Sequence, residues 1–308
     1  MNHSVFGYPG NKASLSDWIV EHLPEHRVYV EVFGGAGGVL ANKPPSHNEI
    51  YNDIDEDLVQ FFDVLRERGD ELVEWLQRVP YSREKYDEWV TPWYQDNWRP
   101  DDPVKRAGVF FYHRCVAFGG TYQYEPGFAT STTRNQARTF AGQVDRLEEF
   151  ADRFQQVTIE NLDWRECLEK YDDPDGLLYL DPPYYEARCR YRHGRDFAHE
   201  ELAEALLDVD ADWIVSYDAL PKGIQEQAEG VVNRTVRYQM AASYNGEPDG
   251  STEILAMSYR PDQFDEVGGP APFVDAQSQL DVFVAATDGE NSRLQDTETD
   301  RSEGGDVA

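Results

Sequence analysis

The feature that most constrains this chain is the apolar run Gly176-Leu177-Leu178-Tyr179-Leu180, which stops on Asp181-Pro182-Pro183-Tyr184. A short run apolar at every position reads as a strand buried on both faces, the kind found in parallel sheets covered by helices. The prolines end it: the residue before a proline is pushed to an extended conformation, and each proline removes a donor while holding φ near about −65°. The strand therefore gives way to a rigid shelf of acceptors, the Asp181 carboxylate and the Pro182 carbonyl, with Tyr184 offering a flat face beside them. Such a shelf suits a planar base with an exocyclic amine. Hydrogen bonds to both acceptors would draw the amine toward tetrahedral geometry and free its lone pair for attack on a methyl sulfonium. The alternative is a turn that merely closes a strand.

Other segments repeat the strand-then-loop pattern. Val28-Tyr29-Val30-Glu31-Val32 is a β-branched run ending in Phe33-Gly34-Gly35-Ala36-Gly37-Gly38, which reads as strand, glycine turn and helix start. Glu49-Ile50-Tyr51-Asn52 is a short strand ending on Asp53, and residues 58–65 have helical apolar spacing. Further strands are expected at residues 156–159, 212–217 and 253–259. Strands alternating with helical stretches imply an α/β fold with a Rossmann-like, mostly parallel sheet. Residues 67–150 differ in character, being rich in Trp, Tyr and Pro, and read as an insert, mainly helical. From residue 263 onward 11 acidic residues face 2 basic ones, and residues 263–308 read as an acidic, disordered tail. Its apolar patch at 280–284 could dock on the folded body.

In open α/β sheets ligands bind beyond the carboxyl ends of the strands. Three strands end there on chemistry: the glycine turn after Phe33, Asp53, and the Asp181 shelf. A glycine turn lets a ligand approach the backbone closely. An acid at Asp53 either accepts from the two hydroxyls of a ribose or caps the next helix. Asp163, in Asn161-Leu162-Asp163-Trp164, is placed to cap a helix.

Through these motifs the chain resembles the Dam-type (D12 class, α-order) adenine-N6 DNA methyltransferases over roughly residues 6–260. Tyr8-Pro9-Gly10-Asn11-Lys12 is similar to that family's N-terminal motif, with Asn11 in place of its usual glycine. Glu31-Val32-Phe33-Gly34-Gly35-Ala36-Gly37 is similar to its cofactor motif, with Val32 in place of proline. Asn52-Asp53-Ile54-Asp55 resembles its acidic motif and Asp181-Pro182-Pro183-Tyr184 its catalytic one. Phe197, His199, Glu200, Glu201 and Leu202 resemble the stretch after the catalytic loop.

The resemblance implies a catalytic core of the S-adenosylmethionine-dependent methyltransferase type at residues 1–66 and 151–262, with an inserted target-recognition domain at 67–150. It implies S-adenosylmethionine as cofactor, bound with the help of Tyr8, Lys12, Phe33, Gly35, Gly37, Asp53, Asp163 and Asp181. Asp181, Pro182 and Tyr184 would be catalytic, acting on an adenine flipped out of double-stranded DNA. No metal is needed, because the cofactor carries its own leaving group. Cytosine-N4 methylation, which has the same geometry, and a DNA-binding relative without catalysis are the rival readings. A cognate restriction endonuclease is a further partner the family suggests. With no apolar signal region and no run long enough for a membrane span, a cytoplasmic protein without a membrane partner is expected.

The charge sets 59 acidic residues against 28 basic ones, and the basic set is 22 Arg to 6 Lys. A net charge of −31 argues against a nucleic-acid partner, but its distribution is uneven. Residues 105–138 hold five basic residues and one acid, and residues 187–195 hold Arg188, Arg190, Arg192, Arg195 and His193 with no acid. These arginines either pair with surface carboxylates or contact phosphates. In the second case Arg114, Arg134 and Arg138 are candidates for base-edge readout, and the 188–195 group for the backbone near a flipped base. A carboxylate-rich, lysine-poor surface fits a halophilic source, since at molar salt the Debye length shrinks to about 3 Å and self-repulsion costs little. The protein should therefore unfold on dilution from molar to millimolar salt; a circular dichroism signal unchanged by dilution would refute this.

Overall fold

The computed structural model describes residues 4–8, 10–118, 124–184, 197–238 and 249–261. Its elements run β1 (Val28–Glu31), β2 (Asn48–Asn52), β3 (Ala117–Phe118), β4 (Gly127–Phe128), β5 (Val157–Glu160), β6 (Gly176–Leu180), β7 (Asp212–Tyr217), β8 (Gly230–Tyr238) and β9 (Asp249–Met257). The helices are α1 (Ser16–Val20), α2 (Glu56–Gln77), α3 (Arg83–Gln95), α4 (Pro103–Val116), α5 (Gln136–Asp145), α6 (Leu147–Phe154), α7 (Trp164–Tyr171), α8 (His199–Ala205) and α9 (Lys222–Gln227). Seven strands form one sheet in the order β5-β2-β1-β6-β7-β9-β8, while β3 and β4 pair separately. β5, β2, β1, β6 and β7 are parallel, and β9 runs antiparallel to both β7 and β8. The sheet is thus the Rossmann-like, mostly parallel one expected, closed at one side by an antiparallel pair. Of the seven strands in this sheet, β8 is the one that the residue pattern did not announce. It lies at the sheet edge, and its residues 231–235 alternate exposed and half-buried, so no apolar run marks it.

The side chains of the central strands alternate between two cores, as the twofold period of a strand requires. Tyr29, Leu177, Tyr179, Ile214, Leu255 and Met257 enter one; Val30, Leu178, Leu180, Val215 and Ala256 enter the other. The second core is roofed by Trp164, Leu168, Leu202 and Ile224 from α7, α8 and α9. The first is aromatic and takes in much of the 67–150 segment. Phe61 of α2 stacks on Phe111 of α4 with ring centroids 6.0 Å apart, and Phe62 stacks on Phe154 at 4.7 Å. Moreover, α2 runs through the 66/67 boundary, with a local break in helical geometry at Arg68. The segment is mainly helical, and its aromatic residues, among them Trp89, Trp93, Phe110 and Tyr112, are buried. It therefore shares its core with the sheet.

Polar pinning reinforces this union. Asp57, fully buried near the start of α2, accepts from Arg99 at 2.7 Å and from Arg106 at 2.7 Å. Burial raises the Asp57 pKa, yet the hydrogen bonds from the two arginines outweigh it and leave the carboxyl below its ordinary value. Its contribution is therefore present above the ordinary carboxylate range and lost as pH falls through the lowered pKa. Asp57→Ala strands two cations that are mostly shielded from water, and should cost about 3 kcal/mol in urea denaturation near neutral pH. The deficit should shrink toward pH 3, and equal deficits at both pH values would refute this account.

Candidate active site

The three chemistry-bearing strand ends meet because their register brings them abreast. Glu31 pairs with Tyr51 on one side and Tyr179 on the other. Two residues further on, β1 delivers Phe33, β2 delivers Asp53 and β6 delivers Asp181. Strand order reverses at β1 and β6, and a ligand crevice opens at such a switch point. A cavity of about 290 Å³ lies there, lined by Tyr8, Lys12, Glu31, Phe33, Gly35, Asp53, Asp163, Trp164, Asp181 and Phe197, among others. Asn52 ties the edge together, donating to the Val32 and Leu162 carbonyls at 2.9 and 3.2 Å and accepting from the Leu162 amide at 2.9 Å.

The Asp53 carboxylate accepts from the Gly35 amide and the Asp55 amide, each at 2.8 Å. Gly35 has φ of 51°, a left-handed conformation open to glycine, and its carbonyl receives the Tyr51 hydroxyl at 2.7 Å. The helix cap belongs to Asp55, which accepts from the Asp57 amide, so capping is not the task of Asp53. Burial pushes the Asp53 carboxyl up to about 7. Asp163 both caps α7, accepting from the Arg165 amide at 3.0 Å, and lines the cavity. Phe33 meets Phe197 edge-on at 5.5 Å, and Phe197 lies 6.2 Å from Trp164, making an aromatic wall. Gly37, with φ of 65°, does not line the cavity: a Cβ there would point at Phe154 and Phe62 in the core.

Around Asp181 the charges are close-packed. The Lys12 ammonium donates to both Asp181 oxygens at 2.7 Å and to the Gly10 carbonyl at 3.0 Å. It lies 3.6 Å from the carboxylate of Glu253 on β9 and 4.7 Å from the centre of the Tyr184 ring. The Tyr184 hydroxyl donates to Glu253 at 2.5 Å, and the Ser216 hydroxyl donates to the same carboxylate at 2.9 Å. Burial pulls the Lys12 pKa down, but Asp181 and Glu253 more than offset it and hold the ammonium protonated, its pKa well above the ordinary lysine range. Asp181 is raised to about 6, because burial and Glu253 together exceed the stabilisation from Lys12. Both shifts are consistent, since one cation serves two carboxylates. Pro182 is buried behind this cluster.

Glu31 and Glu253 are the acids that the residue pattern did not single out as site residues. Glu31 stands inside the motif that leads into the glycine turn, whereas Glu253 is only one acid at the edge of an apolar strand. Arg114, a candidate for base readout, is buried, with its guanidinium 2.8 Å from the His113 ring nitrogen and 5.9 Å from the centre of the Tyr8 ring. It is not a surface donor in this structure, because α4 turns it toward the aromatic core. Arg134 is half-buried just before α5 and Arg138 is exposed within it. Pro9, Arg188, Arg190, Arg192, Arg195 and the tail at 263–308 lie outside the described residues.

A mostly parallel sheet with an acid-lined crevice at its switch point defines a nucleotide-type ligand site, and the comparisons with known proteins narrow it. Residues 8–228 match the family described as D12 class N6 adenine-specific DNA methyltransferase, and the chain belongs to that family. The DNA adenine methylase of Escherichia coli (strain K12) is 24% identical over 271 residues, covering 84% of this chain and 96% of the relative. That of Vibrio cholerae serotype O1 is 30% identical over 181 residues, covering 58% of this chain and 63% of the relative. The activity is therefore transfer of a methyl group from S-adenosylmethionine to the N6 amine of adenine in DNA.

The cavity fits that cofactor on its own terms. Its lining combines an aromatic wall of Phe33, Trp164 and Phe197 with the carboxylate of Asp53, groups of the kind that suit a base and hydroxyl donors. Its lining sets Glu31, Asp53, Asp55, Asp163 and Asp181 against Lys12 and Arg165, an acidic balance that suits a ligand carrying positive charge. No helix among the described residues is long and apolar enough to cross a membrane. Nor do the described residues contain a group of three or more His, Cys, Asp and Glu able to hold a metal ion.

Burial has a measurable consequence at Glu31. Burial lifts its carboxyl to about 8, with hydrogen bonds from the Leu40 amide and the Tyr29 hydroxyl only partly offsetting this. A raised carboxyl favours the fold below its ordinary pKa, and that advantage is lost as pH climbs toward about 8. Glu31→Gln should flatten the fall in denaturant midpoint of the ligand-free protein across this range. Parallel curves for variant and wild type would refute the assignment.

Proposed function

We propose that Asp181, the Pro182 carbonyl and Tyr184 receive a flipped adenine, while Tyr8, Lys12, Phe33, Gly35 and Asp53 form the cofactor site. The observation that carries this reading is the alignment of Phe33, Asp53 and Asp181 abreast on three neighbouring strand ends. S-adenosylmethionine supplies the methyl group as an electrophilic sulfonium. Asp53 accepts from the ribose hydroxyls with the lone pairs its backbone donors leave free, and Asp163 faces the base end of the cavity. Asp181 must be ionised to accept from the adenine amine. Lys12 favours that state, against the burial and the Glu253 charge that oppose it. Glu31, Tyr179, Tyr184 and Tyr217 also face Asp181 electrostatically. A stacked adenine cannot reach this shelf, so the base must leave the duplex.

Gly37 serves this site indirectly, by letting the loop turn over the Phe62–Phe154 stack. Arg114 supports Tyr8 from behind. DNA contact falls to the more accessible Arg134 and Arg138 and to the Arg188, Arg190, Arg192 and Arg195 stretch, with residues 67–150 acting as the target-recognition region. The setting is the cytoplasm, and the acidic remainder of the surface adapts the protein to high salt.

Expression in a host lacking adenine methylation, followed by modification-detecting sequencing and nucleoside analysis, tests base and site together. N6-methyladenine in one sequence context is expected; N4-methylcytosine would refute the reading. Asp181→Ala should lower kcat by at least about a thousandfold, as loss of a group acting only in the transition state does. Wild-type kcat should fall on the acid side below about pH 6, as Asp181 takes up its proton.

A further inference from the structure

The buried carboxylate of Glu253 has no catalytic or binding role assigned above, yet two hydroxyl donors and an ammonium, from three segments, converge on it. Tyr184 of the catalytic shelf donates its hydroxyl at 2.5 Å to one oxygen and 2.7 Å to the other. Ser216 of β7 donates at 2.9 Å, and the Lys12 ammonium lies 3.6 Å away. Glu253 is 3% exposed and sits on β9, which enters the sheet antiparallel. Because Ile254 pairs with Tyr217, the last residue of β7, Glu253 lies just past that strand end. Here it reaches the same edge as Asp181 from the opposite chain direction.

We propose that Glu253 is a positioning residue for methyl transfer, holding the Tyr184 ring in the orientation that meets the target base by receiving its hydroxyl. The proposal rests on the reading of Tyr184 as the surface against which the flipped adenine lies. A tyrosine ring alone turns about two side-chain torsions, and after two prolines its backbone is stiff while its ring is not. A carboxylate acceptor at the hydroxyl removes that freedom, and a charge-assisted hydrogen bond holds it more firmly than a neutral one. Ser216 and Lys12 in turn hold the carboxylate, so its own position is set from β7 and from the N-terminal segment. Glu253 touches neither amine nor methyl group and acts through Tyr184.

The test is a double-mutant cycle on the full chain, using DNA from a methylation-deficient host and labelled S-adenosylmethionine. Glu253→Ala should lower kcat by roughly 10- to 100-fold, the usual range for loss of a hydrogen bond to a charged group. Its KM for S-adenosylmethionine should stay within about threefold, because the loss falls on the base side. Tyr184→Phe, which keeps the ring and removes the hydroxyl, should lower kcat to a similar degree. The double variant should be no slower than the worse single one. Glu253→Gln keeps an acceptor of the same shape and should recover most of the lost rate. If Glu253→Ala does not fold, the cycle of Glu253→Gln with Tyr184→Phe carries the same question, and the glutamine should then cost nothing further. A double variant slowed by the product of the two single effects would overturn the proposal. So would undiminished kcat in Glu253→Ala, or a glutamine variant as slow as the alanine one. A wild type that makes no N6-methyladenine would instead overturn the function proposed above, which keeps the two failures apart.

Discussion

The site depends on one ammonium group shared between two buried carboxylates. Lys12 comes from the N-terminal segment, Asp181 follows a central strand 169 residues later, and Glu253 sits on a strand near the far side of the sheet. Taking three such charges out of water costs several kcal/mol per ion, and their attraction repays it only when geometry and hydrogen bonds are good. Here the ammonium donates to both Asp181 oxygens and to a carbonyl, while Glu253 receives two hydroxyls. The arrangement makes the N-terminal segment part of the crevice.

Around this centre burial disfavours the charged form of several carboxyl groups. Asp53, Asp181 and Glu31 all have raised pKa values, and in each the first cause is burial. A positively charged ligand would favour the ionised form of such carboxyls and lower their pKa values. Asp53, Asp181 and Glu31 stand on or just past three strands that cannot slip relative to one another, because a one-residue slip would turn every buried side chain to the other face.

The aromatic layer explains why the helical segment shares a core with the sheet. Rings from α2, α4 and α6 stack between sheet and helices, and Asp57 locks Arg99 and Arg106 over them. Arg114 is drawn into this layer, near Tyr8 at the cavity wall. Any displacement of the helices would therefore be felt at Tyr8. Charge density along the chain suggested an arginine available to DNA. The helical phase of α4, which buries nearly every residue from Val109 to Val116, decided otherwise.

Much of this protein was legible in its residues. The buried strands at 176–180 and 212–217, the glycine turn after Phe33 and the proline shelf after Asp181 are local features, set by side-chain period and by the steric limits of glycine and proline. Those determine where strands stop and which groups stand at their ends. Which ends lie side by side is a matter of strand order and register, contacts distant in sequence that no local pattern encodes. The tertiary structure alone decided that Asp55 rather than Asp53 caps α2, that Gly37 faces the core, and that Arg114 is buried. It alone brought Glu253 to Tyr184, because only an antiparallel strand entering at the carboxyl edge can place its early residues beside the shelf. The sequence by itself determined the Asp-Pro-Pro-Tyr shelf; the fold decided what holds that shelf in place, since a buried carboxylate acquires its partners only when the chain closes around it.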